Sequence, residues 1–198
     1  MPNITDYWNW AVNTCEAANV GYSQGYRNAQ TVNGITYYDC SSFIWYALKN
    51  GNFDVNAAYQ AAMGYAYSGN AITTSYERAW LIALGFSPID KTGEWKAGDI
   101  CWRSGHTEMV YEGGTGKGRT MGAHTSRKPL ADQVSIYQDF TPYTKWSEIF
   151  RYGGSGGGGA DIPPDYPYDD PSSGGGGSST DGNSRNRRMP LYMMIKNF

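Results

Sequence analysis

Little of this sequence is charged. Asp, Glu, Lys and Arg make up 17% of its 198 residues and the net charge is −2. A stripe of basic residues able to track a phosphate backbone is missing, since the basic cluster Arg185, Arg187 and Arg188 stands alone near the end, so nucleic acid is not an expected partner. No apolar run approaches the roughly 20 residues that span a bilayer, and no membrane span is expected. The opening Met1-Pro2-Asn3-Ile4-Thr5-Asp6 has neither the basic nor the apolar region of a secretion signal, so no signal peptide is expected. Cysteine is scarce and odd in number: Cys15, Cys40 and Cys101. An odd count leaves at least one thiol outside any pairing within the chain, which argues against a disulfide scaffold. Histidine is scarcer still, at His106 and His124.

Aromatic residues are abundant, with 17 Tyr and 7 Trp. On a surface such rings stack on sugar faces and pack against peptides, which suits a polymer substrate; for any single ring a place in the core is the simpler reading. The length suits one domain of ordinary size, expected over residues 1–152, because core-forming residues stop there. Residues 153–188 read as a flexible Gly/Ser/Pro-rich linker, and 189–198 as a short apolar peptide that docks on its own domain, a partner or a larger assembly.

Within the domain, helical periodicity covers Tyr7 to Ala18, with Trp8, Ala11, Val12 and Cys15 on one face, so Cys15 reads as core. Further helices are expected from Cys40 to Asn50, Val55 to Tyr67 and Thr74 to Leu84, with Gly-rich polar sequence between Gly21 and Asn28 as a loop. After Pro88 the pattern changes to short β runs: Asp99 to Trp102, Thr107 to Tyr111, Thr120 to Ala123, Val134 to Tyr137 and Ile149 to Tyr152. Gly113 to Gly118 reads as the flexible turn of a hairpin; it lacks Walker spacing and precedes no helix. Helices first and antiparallel strands afterwards predict an α+β domain with N-terminal helices packed on an antiparallel sheet.

The domain is organised around Tyr38-Asp39-Cys40-Ser41-Ser42-Phe43 and the apolar helix that follows, which Gly51 stops. Asp39 has the residue type of an N-cap, and Cys40 falls in the first turn, where free N–H groups and the helix dipole favour an anion. A thiolate is an anion, so the position predicts a lowered cysteine pKa and a nucleophile. The hairpin through Gly113–Gly118 brings His106, at the start of one strand, near His124, at the end of the next. One imidazole can then take the thiol proton while the other orients it. A zinc set is not expected, because no C-x-x-C or H-x-x-x-H pair exists and Cys101 is mid-strand. A serine hydrolase is not expected either, because there is no G-x-S-x-G elbow.

Together, Tyr-Asp-Cys-Ser-Ser-Phe at 38–43, Gly-Asp-Ile at 98–100, Gly-His-Thr at 105–107 and Gly-Ala-His-Thr-Ser at 122–126 resemble the NlpC-type papain-fold peptidoglycan hydrolases. The likeness is greatest to the bacteriophage branch of lytic amidases and tail-associated lysins, and it covers about residues 5–152. It implies a cysteine amidase or peptidase that opens an amide bond of the cell wall, with no cofactor and no metal. By motif, Cys40 is the nucleophile, His106 the base and His124 the orienting third residue. Tyr22, with Tyr26 as the competing choice, frames the oxyanion site together with Asp39 and Ser41. The implied partner is bacterial peptidoglycan, with phage tail proteins as a further partner of residues 189–198. The implied location is the phage tail, or the host cytoplasm until lysis. The same residues leave open a non-catalytic wall-binding or structural tail component, and an acyl transferase or deamidase on the same fold.

Overall fold

The computed structural model of the chain describes residues 1–153. The expected linker, from residue 154 on, and the peptide 189–198 lie outside the described residues. In chain order the elements are α1 (Ile4–Glu16), β1 (Val20–Tyr22), β2 (Asn28–Val32), β3 (Ile35–Tyr38), α2 (Cys40–Asn50), α3 (Val55–Met63) and α4 (Thr74–Ala83). They continue with β4 (Phe86–Ile89), β5 (Ile100–Arg103), β6 (His106–Gly114), β7 (Lys117–Ala123), α5 (Leu130–Gln133), β8 (Val134–Pro142) and β9 (Glu148–Tyr152). The domain is α+β: a six-stranded sheet in the order β4-β9-β5-β6-β7-β8, antiparallel at every pairing, carries the helices of the first half.

The helix α2 sits at the centre of the core. Phe43, Ile44, Ala47 and Leu48 are all fully buried, so the apolar spacing that predicted the helix also describes what it packs. Trp45, on its next face, stacks on Trp80 of α4 with ring centroids 5.0 Å apart, which ties the two helices together. Most of the tryptophans are core rather than surface: Trp8, Trp45, Trp80, Trp95 and Trp146 are buried, and among the described residues the exposed aromatics are Tyr26, Tyr65, Tyr76, Phe140 and Tyr143. All three cysteines are free and buried, Cys15 in the core as expected.

Helix α3 stops at Met63, where Gly64 (φ 77°) takes the left-handed conformation, short of the expected Tyr67, and two larger features also differ from the sequence reading. A second, three-stranded sheet was not expected: it takes in only the ends of the stretch read as a loop, whose residues 23–27 are irregular, and in it β1 runs parallel to β3 and a turn at Asn33-Gly34 joins β2 to β3. Asn33 (φ 51°) and Gly34 (φ 79°) both take the left-handed conformation that a tight hairpin turn needs. The second difference lies at Gly113 to Gly118, which is strand rather than turn. The ladder of β6 and β7 continues through Gly113↔Gly118 to Gly114↔Lys117, and only Thr115-Gly116 reverses the chain. Gly113 is needed in the strand for space, because a Cβ there would lie 1.9 Å from the carbonyl oxygen of Trp95.

Candidate active site

Cys40 is the first residue of α2, and the helix start is closely built. Asp39 Oδ1 accepts the Ser42 amide at 2.8 Å while Ser42 Oγ accepts the Asp39 amide at 2.9 Å, a reciprocal cap with Ser in the place usually taken by Glu or Gln. The other Asp39 oxygen pairs with Arg27 Nε at 2.6 Å, and both side chains are largely buried. Arg27 also donates to the Ser41 hydroxyl at 2.8 Å and to the carbonyls of Ala71 (3.0 Å) and Ile72 (2.5 Å). Ser41 is thereby committed to the scaffold beneath Cys40, with its hydroxyl enclosed. Replacing Arg27 with Ala leaves Asp39 as a buried charge and two carbonyls without their donor. The expected cost is roughly 3–5 kcal/mol of unfolding free energy, measured by urea denaturation at pH 7.

The thiol does not behave as its place in the first turn predicts. Burial pushes Cys40 up to about 12, the Asp39 and Glu77 carboxylates add to that, and the amides of Thr107 and Ser41 pull only partly the other way. Two amides facing the sulfur do not offset desolvation together with two neighbouring acids. At neutral pH the resting group is therefore a thiol, so chemistry at this sulfur would need a base to take its proton. Tyr22, at the end of β1, is raised by burial and next by the charges of Cys40 and Asp39, which places its hydroxyl in electrostatic reach of the sulfur. Tyr26 is instead exposed, its ring packed on Tyr37.

Glu77, on α4, is the least expected neighbour. It is fully buried, and among the described residues neither carboxylate oxygen has a hydrogen-bond partner. The nearby Thr107 hydroxyl donates its proton to the Cys101 carbonyl at 3.1 Å. Burial above all raises Glu77 to about 8 from an ordinary 4.5. Between those two values the unfolded chain releases this proton while the folded chain retains it, so stability falls as pH rises, by up to roughly 1.4 kcal/mol per pH unit. The wild-type protein is expected to lose stability to denaturant between pH 5 and pH 8, and Glu77→Gln is expected to flatten that slope.

The histidines meet where the hairpin predicts. The register Met109↔Met121, continued along the strands, sets Glu108 across from Gly122 and His106 across from His124. Residues two apart on a strand share a face, so His106 and Glu108 point the same way, with Thr120 and His124 diagonal to the glutamate. Gly122 has no side chain to intervene; a Cβ there would lie 3.4 Å from Glu108 Cγ. Glu108 fills that space and joins the two rings. Its Oε1 lies 2.8 Å from His106 Nε2 and 3.1 Å from His124 Nδ1, and its Oε2 accepts the Thr120 hydroxyl. The two histidines thus share one carboxylate instead of touching each other. Burial works against the Glu108 charge, but the hydrogen bonds from His106 and His124 outweigh it and hold the acid at about 2.

The remaining nitrogens differ in use. His124 Nε2 lies 2.9 Å from the Ser135 carbonyl oxygen, and the ring stacks on Tyr137 with centroids 4.1 Å apart. Both of its nitrogens face acceptors, a geometry that requires a second proton or a cation. His106 stacks on Trp146 and, with Nε2 directed at Glu108, keeps Nδ1 as the nitrogen able to accept a proton. The amide of Thr107, the next residue, faces the Cys40 sulfur. Cys40 and the start of β6 are thereby brought to neighbouring positions, and the thiol and the His106 ring share no hydrogen bond among the described residues. Glu108, Arg27 and Glu77 are the members of this site that the sequence reading did not name.

No known protein family's sequence profile matches the chain. One curated protein with similarity to it is "Lysin" of Pneumococcus phage Dp-1, 35% identical over 104 residues, which covers 47% of this chain and 29% of that protein. The chain spans less than a third of the length of that relative.

Proposed function

We propose that this chain is a phage-type peptidoglycan hydrolase that opens an amide bond of the cell wall, through a Cys40 acyl-enzyme on a papain-like, NlpC-type domain. The observation that carries this reading is the oriented base. His106 is pinned through Nε2 by a buried, ionised Glu108, leaving Nδ1 available one residue from the amide that faces the Cys40 sulfur. Similarity to a phage protein named lysin supports the substrate class.

In the proposed reaction the Cys40 thiol attacks the scissile carbonyl and its proton passes to His106 Nδ1. The carbonyl oxygen takes the developing charge at the start of α2, where the Cys40 amide and the Tyr22 hydroxyl are the available donors. The His106 imidazolium, stabilised by Glu108, protonates the leaving amine, and water then releases the acyl group from Cys40. His124 acts on the far side of Glu108, holding the carboxylate as an anion aimed at His106.

The test is mass spectrometry of the fragments released from purified sacculi of several Gram-positive species, pneumococcus among them. New muramic-acid carboxyl termini with intact stem peptides are expected from an amidase, and cut stem peptides from an endopeptidase. Wall binding without any fragment would replace this reading with a binding or structural role.

A further inference from the structure

We propose that His106, Glu108 and His124 form a site for a zinc-class divalent cation, and that the cation switches the enzyme off. The three ligand atoms, His106 Nε2, a Glu108 oxygen and His124 Nδ1, all lie within 4.8 Å of one another. Two imidazoles and one carboxylate are a donor set that suits zinc, and not calcium or magnesium, which prefer oxygen alone. The surroundings have the form of a metal's outer shell. Ligating histidines commonly give their other N–H to a carbonyl or carboxylate, and ligating carboxylates are themselves hydrogen-bonded. His124 Nε2 is on the Ser135 carbonyl at 2.9 Å, and the second Glu108 oxygen is on the Thr120 hydroxyl.

This arrangement sets the His124 tautomer. With Nε2–H on the carbonyl, a neutral ring presents its Nδ1 lone pair to a carboxylate oxygen 3.1 Å away, and a cation between them removes the conflict. Ligand atoms about 2.0–2.2 Å from a tetrahedral zinc are about 3.3 Å apart. Binding therefore needs the separations of 2.8 and 3.1 Å to open by roughly 0.2–0.8 Å and the two ring nitrogens, which lie within 4.8 Å of each other, to close toward the same spacing. Glu108 and His124 side chains are 3% and 2% exposed, and His106, at 18%, forms the side open to solvent through which an ion and a fourth, water ligand enter.

The effect on the reaction follows from the tautomer of the other histidine, and this part rests on the function proposed above. An imidazole bound to metal through Nε2 carries its proton on Nδ1. His106 then has no lone pair with which to take the Cys40 proton, and the hydrogen bond to Glu108 that orients it is gone. The cation is an inhibitor and not a cofactor.

The test uses the full-length chain stripped with chelator, then titrated with Zn²⁺ against a chromogenic chelator and with Co²⁺ followed by its visible absorption. Binding of one ion at about 1 µM or tighter is expected, with a tetrahedral cobalt spectrum. The spectrum is expected to be unchanged in Cys40→Ser and by millimolar Ca²⁺, weakened ~10-fold or more in Thr120→Val, and absent in His124→Ala and Glu108→Gln. If those two variants melt below the assay temperature, His106→Ala, at the part-exposed start of β6, takes their place. Wall hydrolysis is expected to fall in step with zinc occupancy and to return with EDTA. Binding no tighter than about 100 µM, or binding lost in Cys40→Ser and retained in His124→Ala, would overturn the site. Hydrolysis abolished by EDTA and restored by zinc would overturn the inhibitory role. A protein that binds zinc as described and releases no wall fragments would leave the site standing and remove the function proposed above.

Discussion

Cys40→Ala is expected to slow release of wall fragments by at least about 10⁴-fold while leaving the domain folded. In the proposed mechanism the substitution removes the sulfur that carries the acyl group. What builds the helix start is untouched: the Asp39–Ser42 cap and the Arg27–Asp39 pair are made by other residues. Far-UV circular dichroism and the denaturation midpoint are therefore expected to match the wild type closely. The raised thiol adds a second signature. With Cys40 pushed up to about 12, iodoacetamide is expected to modify it slowly at pH 7 and progressively faster through pH 10. A cysteine already ionised by the helix start would give a rate independent of pH over that range. Lysis by Cys40→Ala at the wild-type rate would end the cysteine mechanism.

Glu108→Gln carries the second large effect, on rate and on stability together. The carboxylate faces His106 Nε2 and His124 Nδ1 with one oxygen and accepts from the Thr120 hydroxyl with the other, and an uncharged amide cannot hold both rings and the hydroxyl in the same way. A base whose tautomer and orientation are released loses roughly 10²–10⁴-fold in rate. Removing the negative partner of a buried pair costs about 3–5 kcal/mol. Acid behaviour separates this account from simple loss of packing. Glu108 stands at about 2 in the folded protein against an ordinary 4.5, so its contribution is complete above pH 4.5 and is lost as pH falls toward 2. Denaturation curves at pH 6 and pH 3 are expected to show a wild-type decline of up to roughly 2 kcal/mol from this group, absent in Glu108→Gln. A variant with full activity and an unchanged acid limb would contradict the assigned role.

How far the site could be read in advance depends on which contacts are local. The α2 helix was legible because its cap, apolar spacing and Gly51 stop are all within thirteen residues. The meeting of His106 and His124 was legible because one hairpin joins them, even though the turn was drawn too wide. Glu108 was legible in principle: alternation places it on the His106 face, and an acid followed by Met109 and Val110 in a central strand is out of pattern. The thiol shift was legible only in the contribution of the adjacent Asp39, because the largest cause is burial and a further one is Glu77, on a helix 37 positions away in sequence. Arg27 gave no local signal, since its partners Asp39, Ser41, Ala71 and Ile72 come together only in the fold. The small sheet escaped because β1 has three residues and each pairs with a residue sixteen positions on, beyond any short-range pattern.

The most direct measurement is to quench a wall digest in acid within seconds and determine the mass of the tryptic peptide that contains Cys40. A fraction of that peptide is expected to carry an added acyl group whose mass matches the newly formed carboxyl end of the released fragments, with no adduct in Cys40→Ala. Fragments released at an undiminished rate after complete alkylation of Cys40 would contradict the account.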